Sequence, residues 1–185
     1  MINNDNGVYT IGHSNLLAED FIALISKYNI ERVIDIRSVP YSKYYSQFNT
    51  EILSLILKEK GIKYSYDGER LGGRISDTSC YLNKQLPTRK TNVAELINYE
   101  VLKTKDWFNK GINNLIELAQ NENIAIMCSE ENPERCHRNL LVGRRLLELG
   151  IKVYHIRKDL LEYGKFDEQL SFMYTECSEI CFVNN

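Results

Sequence analysis

Short β-type runs alternate with segments of helical periodicity along the chain, and this alternation limits the folds that it can adopt. The runs with strand character lie at positions 8–11, 32–37, 62–66, 123–128 and 152–156. Between the first two, apolar residues recur on one helix face, at Phe21, Leu24, Ile25 and Tyr28. Strands that are joined by helices pair in parallel, with right-handed crossovers that place helices on both faces of the sheet. We therefore predict an α/β fold with three layers, α/β/α, around a mainly parallel sheet.

The length of 185 residues is typical of one domain, and no linker or repeat divides the chain. We predict a single α/β domain over residues 1–185. Residues 71–92 are predicted as an irregular insertion, a type of loop that is often functional, and residues 158–185 as a C-terminal extension. Further helices are predicted over 93–102, over 107–120, and from an Asn132 cap with Pro133 at its first position to Gly150.

Charge and composition exclude several classes of protein. A formal net charge of −2 argues against a dedicated duplex-DNA binder. The five cysteines are odd in number and scattered, the first residues lack a signal peptide, and no apolar run reaches the length of a membrane span. These features predict a cytoplasmic protein without membrane contact. Gly72 and Gly73 alone form neither a dinucleotide fingerprint nor a P-loop, so no cofactor is predicted.

Polar residues collect where three predicted strands end, which is where ligands bind in open α/β sheets. One group follows the first strand, one follows the second, one follows the strand at 123–128, and one opens the next helix. In chain order these groups are His13, Ser14 and Asn15; Asp35, Arg37 and Ser38; Cys128, Ser129 and Glu130; and Arg135, Cys136, His137 and Arg138. We expect the fold to bring them to one edge of the sheet.

These segments resemble the family known as domain of unknown function 488. The resemblance is carried by the blocks YTIGHSN at 9–15, DIRSVPYS at 35–42 and MCSEENPERCHR at 127–138, with LGG at 71–73. Lys43 stands where the family often has arginine, and Tyr44-Tyr45-Ser46 replaces a proline-bearing stretch. The resemblance implies a three-layer α/β fold and supplies no settled activity.

Two carboxylates offer one chemistry for this edge. Asp35 and Glu130 end different strands, so one is expected to act as nucleophile or general base and the other as general acid, with His13 or His137 carrying a proton. Arg37 and Arg138 would then hold an anionic group. The alternative for Asp35 is an ion pair with Arg37 or Arg138.

The segment from Cys128 to Arg138 suggests an anion site, since a strand, a loop and a helix N-terminus combine free N–H groups with guanidinium donors. Six residues separate Cys128 from Arg135, whereas a cysteine phosphatase loop has five, so the spacing argues against a cysteine phosphatase. The alternative is that Arg135 and Arg138 only fix the loop by pairing with Glu130, Glu131 or Asp35.

The thiols of this segment allow two interpretations each. Cys128 is either a reactive thiolate favoured by the helix N-terminus and the arginines, or a small apolar residue beneath the loop. Cys136 is either the thiolate of a pair with the His137 imidazole or a buried inert thiol. The second is expected, because neighbours on the first turn of the predicted helix diverge by about 100°. The spacing C-x7-C-H matches no standard zinc pattern, and no metal site is predicted.

The segment 41–48, YSKYYSQF, is unusually aromatic. Its tyrosines are expected either to stack nucleobases or to pack over the sheet edge and close the pocket.

The leading hypothesis is an enzyme, a hydrolase or a transferase, that acts on a nucleotide-like or other anionic small substrate. Its predicted catalytic residues are Asp35, Glu130, His13 and Cys128. Its predicted substrate-binding residues are Ser14, Asn15, Arg37, Ser38, Tyr41, Arg135, His137 and Arg138. The second hypothesis is a non-catalytic module that binds single-stranded nucleic acid or nucleotides, and the third is a thiol-redox role through Cys128. No oligomeric state is predicted.

Overall fold

The computed structural model describes residues 7–87, 96–158 and 161–164. Its strands are β1 (Gly7–Gly12), β2 (Arg32–Asp35), β3 (Lys63–Tyr66), β4 (Ile124–Cys128), β5 (Lys152–Ile156) and β6 (Leu161–Tyr163). They form one sheet in the order β3-β2-β4-β1-β5-β6. Neighbours from β3 to β5 are parallel, and β6 is antiparallel to β5. The predicted α/β class and mainly parallel sheet are confirmed.

The α-helices are α1 (Ala18–Lys27), α2 (Thr50–Glu59), α3 (Gly68–Leu71), α4 (Tyr99–Leu102), α5 (Asp106–Ala119) and α6 (Arg144–Glu148). Short 3-10 turns lie at Ser46–Phe48, Thr78–Cys80 and Pro133–Arg135, and a π-helical segment, Arg138–Gly143, runs directly into α6. Gly61 follows α2 with a φ of +73°, a conformation that glycine adopts without a steric cost.

Strand β4 displays the layers, because its side chains alternate between two buried clusters. Ala125 and Met127 belong to the cluster that contains Phe21 of α1 and Leu53 of α2. On the other face, Ile124 and Ile126 pack in the cluster that contains residues of α5 and α6, including Phe108, Ile112 and Leu146. The entire strand is buried, as its nearly continuous apolar run predicts. The α/β/α layering of the prediction is confirmed.

The predicted helix from Asn132 to Gly150 is wrong in its first third. Asn132 does act as a cap, since its side chain accepts a hydrogen bond from the backbone N–H of Glu134 at 2.9 Å. The turn that it opens is a 3-10 turn that ends at Arg135, and Cys136 is extended, with φ −116° and ψ 139°. Helical structure resumes at Arg138, whose side chain holds the carbonyls of the preceding loop.

The predicted helix over 93–102 is also shorter than expected. Residues 93–95 lie outside the described part of the chain, and Ile97 pairs with Tyr81 in an isolated β-bridge. The helix therefore begins at Tyr99, with the Asn98 side chain accepting a hydrogen bond from the Val101 N–H at 3.3 Å.

The predicted insertion at 71–92 is irregular over 72–87, with one 3-10 turn, and its remainder is outside the described residues. Leu71 itself ends α3. The predicted extension at 158–185 contributes to the sheet, because Leu161–Tyr163 pairs with β5. Residues 165–185, including Cys177 and Cys181, lie outside the described part. Among the described residues, no helix has the length and apolar character that a membrane crossing requires.

Replacing Gly12 by alanine should strongly destabilise the fold. A Cβ atom there would lie 1.8 Å from the carbonyl oxygen of Glu130, which itself accepts a hydrogen bond from Arg138 and cannot move freely. We expect the free energy of unfolding in urea to fall by about 3 kcal/mol or more. Gly61→Ala is the control, because nothing lies within 4 Å of its added Cβ and only its positive φ costs about 1–2 kcal/mol. Equal losses in the two variants would contradict the close approach of the loops after β1 and β4.

Candidate functional site

The strand order brings the carboxyl ends of β2, β4 and β1 together. Gly12 at the end of β1 is in register with Cys128 at the end of β4. The pairing continues beyond the strands, since His13 N–H donates to the Cys128 carbonyl and Ser14 N–H to the Ser129 carbonyl, each at 2.9 Å. Similarly, the Ile36 N–H donates to the Met127 carbonyl at 3.0 Å. The three loops that follow these strands are therefore fixed against one another.

A pocket of about 900 Å³ opens at this edge. Most of the predicted site residues line it: His13, Ser14, Asn15, Arg37, Ser38, Tyr41, Glu130, Arg135 and His137. The other lining residues are Val39, Ser42, Tyr45, Gly73, Arg74, Ser129 and Cys136. Three predicted residues, Asp35, Cys128 and Arg138, are not among the lining residues and are buried.

Asp35 is an ion-pair partner of Arg37, which was the alternative to its catalytic role. Its Oδ1 accepts hydrogen bonds from the Arg37 Nε at 2.9 Å and the Arg37 backbone N–H at 3.1 Å. Its Oδ2 accepts from the Arg37 Nη2 at 2.6 Å and from the Tyr64 hydroxyl at 3.0 Å. With its side chain 0% exposed, this carboxylate has neither access to a ligand nor a free lone pair for base catalysis. The predicted acid–base pair with Glu130 is not assembled, because only Glu130 faces the pocket.

Arg37 presents one fixed N–H to the pocket. Besides Asp35, its Nη2 donates to the Phe48 carbonyl at 2.6 Å, and its Nη1 lies 3.2 Å from the His13 Nε2. A guanidinium has five N–H bonds, so these contacts engage four of them and leave one on Nη1. Since Arg37 lines the pocket while only 6% exposed, it is a preorganised donor rather than a mobile one.

His13 holds Arg37 and has no nitrogen free to carry a proton. Its Nδ1 lies 2.9 Å from the Ser14 carbonyl, which accepts only, so Nδ1 bears the hydrogen and Nε2 accepts from Arg37. The ring stacks on Phe48 at a centroid distance of 4.2 Å. Burial, together with the positive charge of Arg37, lowers the pKa of His13 to about 4, so the ring is neutral at pH 7. This geometry corrects the predicted role of proton carrier.

Arg138 binds the loop after β4 instead of a ligand. Its guanidinium is 0% exposed and donates to the carbonyls of Glu130 and Glu131, to the Thr10 hydroxyl at 3.3 Å and to the Cys128 Sγ at 3.0 Å. Among the described residues, no carboxylate forms an ion pair with it. Burying a cation is costly without a counter-charge. The neighbouring groups that can ionise here are the thiols of Cys128 and Cys136.

The thiols of Cys128 and Cys136 and the imidazole of His137 meet at the pocket floor. The Sγ atoms of Cys128 and Cys136 are 2.7 Å apart, and the Cys136 Sγ lies 3.7 Å from the His137 Nδ1. The His137 Nε2 lies 3.0 Å from the Ile36 carbonyl, which places a hydrogen on Nε2, and Nδ1 faces the sulfur, from which it can take the thiol proton and to which it then donates. The predicted divergence of Cys136 and His137 is wrong because Cys136 is extended, not helical.

The proton of this pair is distributed unequally. Burial raises the pKa of the Cys128 thiol well above its usual range, helped by its hydrogen bond to Cys136. Burial also opposes ionisation of Cys136, but hydrogen bonds from Cys128 and His137 and the charge of Arg138 outweigh it and hold that pKa well below the usual range. Ionisation is therefore favoured on Cys136, which lines the pocket, over Cys128, which lies beneath it.

The same three side chains are the group of described residues that could hold a metal ion, with their ligand atoms within 4.8 Å of one another. Tetrahedral zinc with Zn–S bonds of about 2.3 Å keeps its sulfurs about 3.8 Å apart. The sulfurs of Cys128 and Cys136 would have to separate by about 1 Å to bind one, next to the positive charge of Arg138.

Two arginines that line the pocket have side chains without a carboxylate partner among the described residues. These are Arg74 and Arg135, both exposed at the rim. The backbone of Arg74 is fixed by a 2.8 Å hydrogen bond from its N–H to the Ser38 Oγ. The alternative interpretation of Arg135, an ion pair with Glu130, Glu131 or Asp35, is not observed. Glu130 is the acidic residue among the described residues that line the pocket.

Sequence reasoning missed Arg74 and underrated Cys136. Arg74 directly follows Gly72 and Gly73, and a Cβ at Gly73 would lie 3.0 Å from the His137 ring. That close approach explains the glycine at 73, and the glycine pair was the sequence signal that the insertion touches the site. Cys136 was assigned to a helix because the Asn132 cap suggested one.

Comparison with protein-family models gives a match over residues 17–144 to the model described as "Domain of unknown function DUF488". The match covers more than half of the chain, including β2, β4 and the segment 128–138, and begins after His13, Ser14 and Asn15. No curated protein and no solved structure matches the chain.

Stability should fall as the pH is lowered from about 6.5 to about 4. Burial lowers the pKa of both His13 and His155 to about 4, so in this window the unfolded chain binds protons at these sites and the folded chain does not. Each histidine should reduce the free energy of unfolding by up to about 1.4 kcal/mol per pH unit. Urea unfolding across this range measures the effect, and His155→Gln should remove about half of it. An NMR titration of the His13 ring with a midpoint near 6.5 would contradict the site geometry.

Proposed function

The chain belongs to the family described as domain of unknown function DUF488, a description that names no activity, and we propose from its pocket that the protein is a hydrolase or transferase acting on a nucleotide-like or other anionic small substrate. The substrate occupies the pocket at the carboxyl ends of β1, β2 and β4. Its anionic group meets the arginines of the rim, and its reacting atom meets the thiolate of the floor.

The observation that carries the proposal is the unpaired positive charge of the pocket. Arg74 and Arg135 have no carboxylate partner among the described residues, and Arg37 adds one fixed N–H. Guanidinium groups match phosphate and carboxylate through paired hydrogen bonds. Glu130 offsets one of these two charges, and Arg37 is neutralised by Asp35, so a substrate with one negative charge restores neutrality.

The size and lining of the pocket favour a small molecule that also has an aromatic or sugar part. Ligand pockets typically measure about 300–1,000 Å³, and about 900 Å³ is sufficient for a mononucleotide. The rings of Tyr41 and Tyr45 lie at the rim, where they offer a flat apolar surface to a base. The hydroxyls of Ser14, Ser42 and Ser129 offer hydrogen bonds to sugar or phosphate oxygens.

The floor supplies the reactive groups. The Cys136 thiolate attacks the electrophilic carbon or phosphorus of the substrate, and the bond to the leaving group breaks. Water, in a hydrolase, or an acceptor hydroxyl, in a transferase, then displaces the thiolate. The His137 Nδ1 first gives the proton of the thiol to the leaving group and then, with its Nε2 held by the Ile36 carbonyl, takes the proton of that second nucleophile. Cys136 thus assumes the role that the sequence suggested for Cys128.

A non-catalytic module that binds single-stranded nucleic acid is the second candidate, favoured by the exposed tyrosines after β2. Tyr41 is 66% exposed and Tyr44 is 83% exposed, with Lys43 between them. Tyr44 does not line the pocket, so it is available for a base beyond the one that the pocket holds.

A thermal-shift screen against nucleotides, nucleosides, phosphosugars and short single strands should identify an anionic small molecule. At about 100 times its dissociation constant, a ligand adds about 2.7 kcal/mol to stability. Arg74→Ala and Arg135→Ala should each weaken its binding about tenfold, the loss of a charged hydrogen bond. Lys58→Ala, which removes an exposed charge from α2, is the control and should have no effect. Stabilisation only by oligonucleotides, with a steep loss of affinity in salt, would favour the binding module instead.

Cys136→Ser and His137→Gln should separate chemistry from binding. With the ligand class identified, the serine variant should lose turnover, and the glutamine variant should lose about 10²–10⁴-fold, while both retain the dissociation constant within about twofold. Cys80→Ala, at a thiol buried in the apolar core, is the matched control and should retain activity. Full turnover in Cys136→Ser would refute the thiolate mechanism without affecting the assignment of the pocket.

A further inference from the structure

We propose that Cys136 and Cys128 are a redox-active pair, in which a small hydroperoxide oxidises Cys136 and Cys128 then closes an intramolecular disulfide. Cys136 reacts first because it lines the pocket, and Cys128 resolves the product because it lies directly beneath. The inference uses the same thiolate as the proposed function, but it requires no substrate in the pocket.

The distance between the sulfurs is the first observation. A disulfide bond measures about 2.05 Å, so atoms that lie 2.7 Å apart have only about 0.6–0.7 Å to close. The two cysteines flank one short loop. Cys128 ends β4, and Cys136 is an extended residue that precedes the π-helical segment. No helix or strand has to break to join them.

The charge around the pair is the second observation. Arg138 donates to the Cys128 Sγ at 3.0 Å and is fully buried, and no carboxylate pairs with it among the described residues. A thiolate shared by the pair is the counter-charge that this guanidinium requires. Peroxides react with the thiolate and not with the thiol, so the same charge that satisfies Arg138 makes the pair reactive.

The contrast with Cys80 separates reactivity from mere burial. Cys80 is also buried and free, but it lies in an apolar cluster, and burial raises its pKa. Cys136 is equally buried by exposed area, yet it has a thiol donor, an imidazole at 3.7 Å and an arginine nearby. If burial alone determined their behaviour, these two cysteines would react alike.

The chemistry balances in two steps. The Cys136 thiolate attacks one oxygen of the hydroperoxide, the O–O bond breaks, and the released alkoxide or hydroxide takes a proton, which gives a sulfenic acid. The Cys128 sulfur then attacks the Cys136 sulfur, a disulfide forms, and the sulfenic oxygen leaves as water. In total the pair loses two electrons and the one proton of Cys128, which leaves with the sulfenic oxygen as water. The proton that the alkoxide or hydroxide takes comes from the solvent, and the peroxide is reduced to an alcohol, or to water, and one further water.

The resulting disulfide removes the pocket nucleophile and is reversed by a dithiol reductant. The pair therefore makes the proposed activity dependent on the oxidation state of the surroundings. It also protects Cys136 from irreversible oxidation, since the sulfenic acid is consumed before a second peroxide arrives.

The test uses the full chain carrying Cys177→Ser and Cys181→Ser, which retains Cys80, Cys128 and Cys136. Hydrogen peroxide should lower the free thiols counted after denaturation from three to one, with an intact-mass loss of two hydrogens, and dithiothreitol should restore all three. Adding Cys128→Ser should leave a sulfenic acid at Cys136 that dimedone traps, whereas adding Cys136→Ser should abolish both products. Adding Cys80→Ala should leave disulfide formation unchanged.

Three outcomes would overturn the proposal. One is that all three thiols remain reduced at a peroxide concentration and exposure time that oxidise free cysteine. Another is that the Cys128→Ser and Cys136→Ser variants give the same product, which would remove the division of roles. The third is that the protein carries one equivalent of zinc that is released when these two thiols are alkylated, which would assign the trio with His137 to a metal site. None of these readouts involves a ligand of the rim, so a failed ligand screen and a failed disulfide are distinguishable.

Discussion

The buried guanidinium of Arg138 is the interaction on which the candidate site depends. It lies in the protein interior without a carboxylate partner among the described residues, and its hydrogen bonds reach three parts of the molecule: β1 through Thr10, the loop after β4 through two carbonyls, and the pocket floor through Cys128. Thr10 extends this network to His155 on β5, whose Nδ1 lies 2.7 Å away. Removing the guanidinium would leave the two carbonyls and the Cys128 sulfur without this donor, a change that typically costs several kcal/mol.

An ion pair that is separate from Arg138 fixes another part of the pocket lining. Asp35 and Arg37 are two residues apart, so their side chains leave the chain in the same direction and meet as a fork. His13 and Phe48 then fix the remaining edge of the guanidinium. The pocket thus contains one immobile arginine, neutralised by its partner, and two exposed arginines whose charge is available.

The sequence predicts the layers and the location of the site well because both follow from periodicity. Alternating strands and helices require the α/β/α arrangement, and parallel strands bring His13, Arg37 and Glu130 to one edge. The sequence does not predict which of the polar side chains line the pocket and which are buried. Asp35 and Arg138 have the residue types of a catalytic acid and an anion binder. Asp35 is instead occupied by Arg37 and Tyr64, and Arg138 by Thr10, Cys128 and two loop carbonyls. Asn132 and Pro133 favour a helix that would include Cys136. Cys136 is extended instead, and this local conformation brings its thiol to that of Cys128.

The unequal distribution of the proton between Cys128 and Cys136 has a consequence for the electrochemistry of the site. A pair that holds a single proton releases one proton together with its two electrons, whereas two ordinary thiols release two. The reduction potential of such a pair changes by about 30 mV per pH unit instead of about 59 mV. The oxidation state of this site would therefore depend on the acidity of the solution about half as steeply as that of an ordinary dithiol.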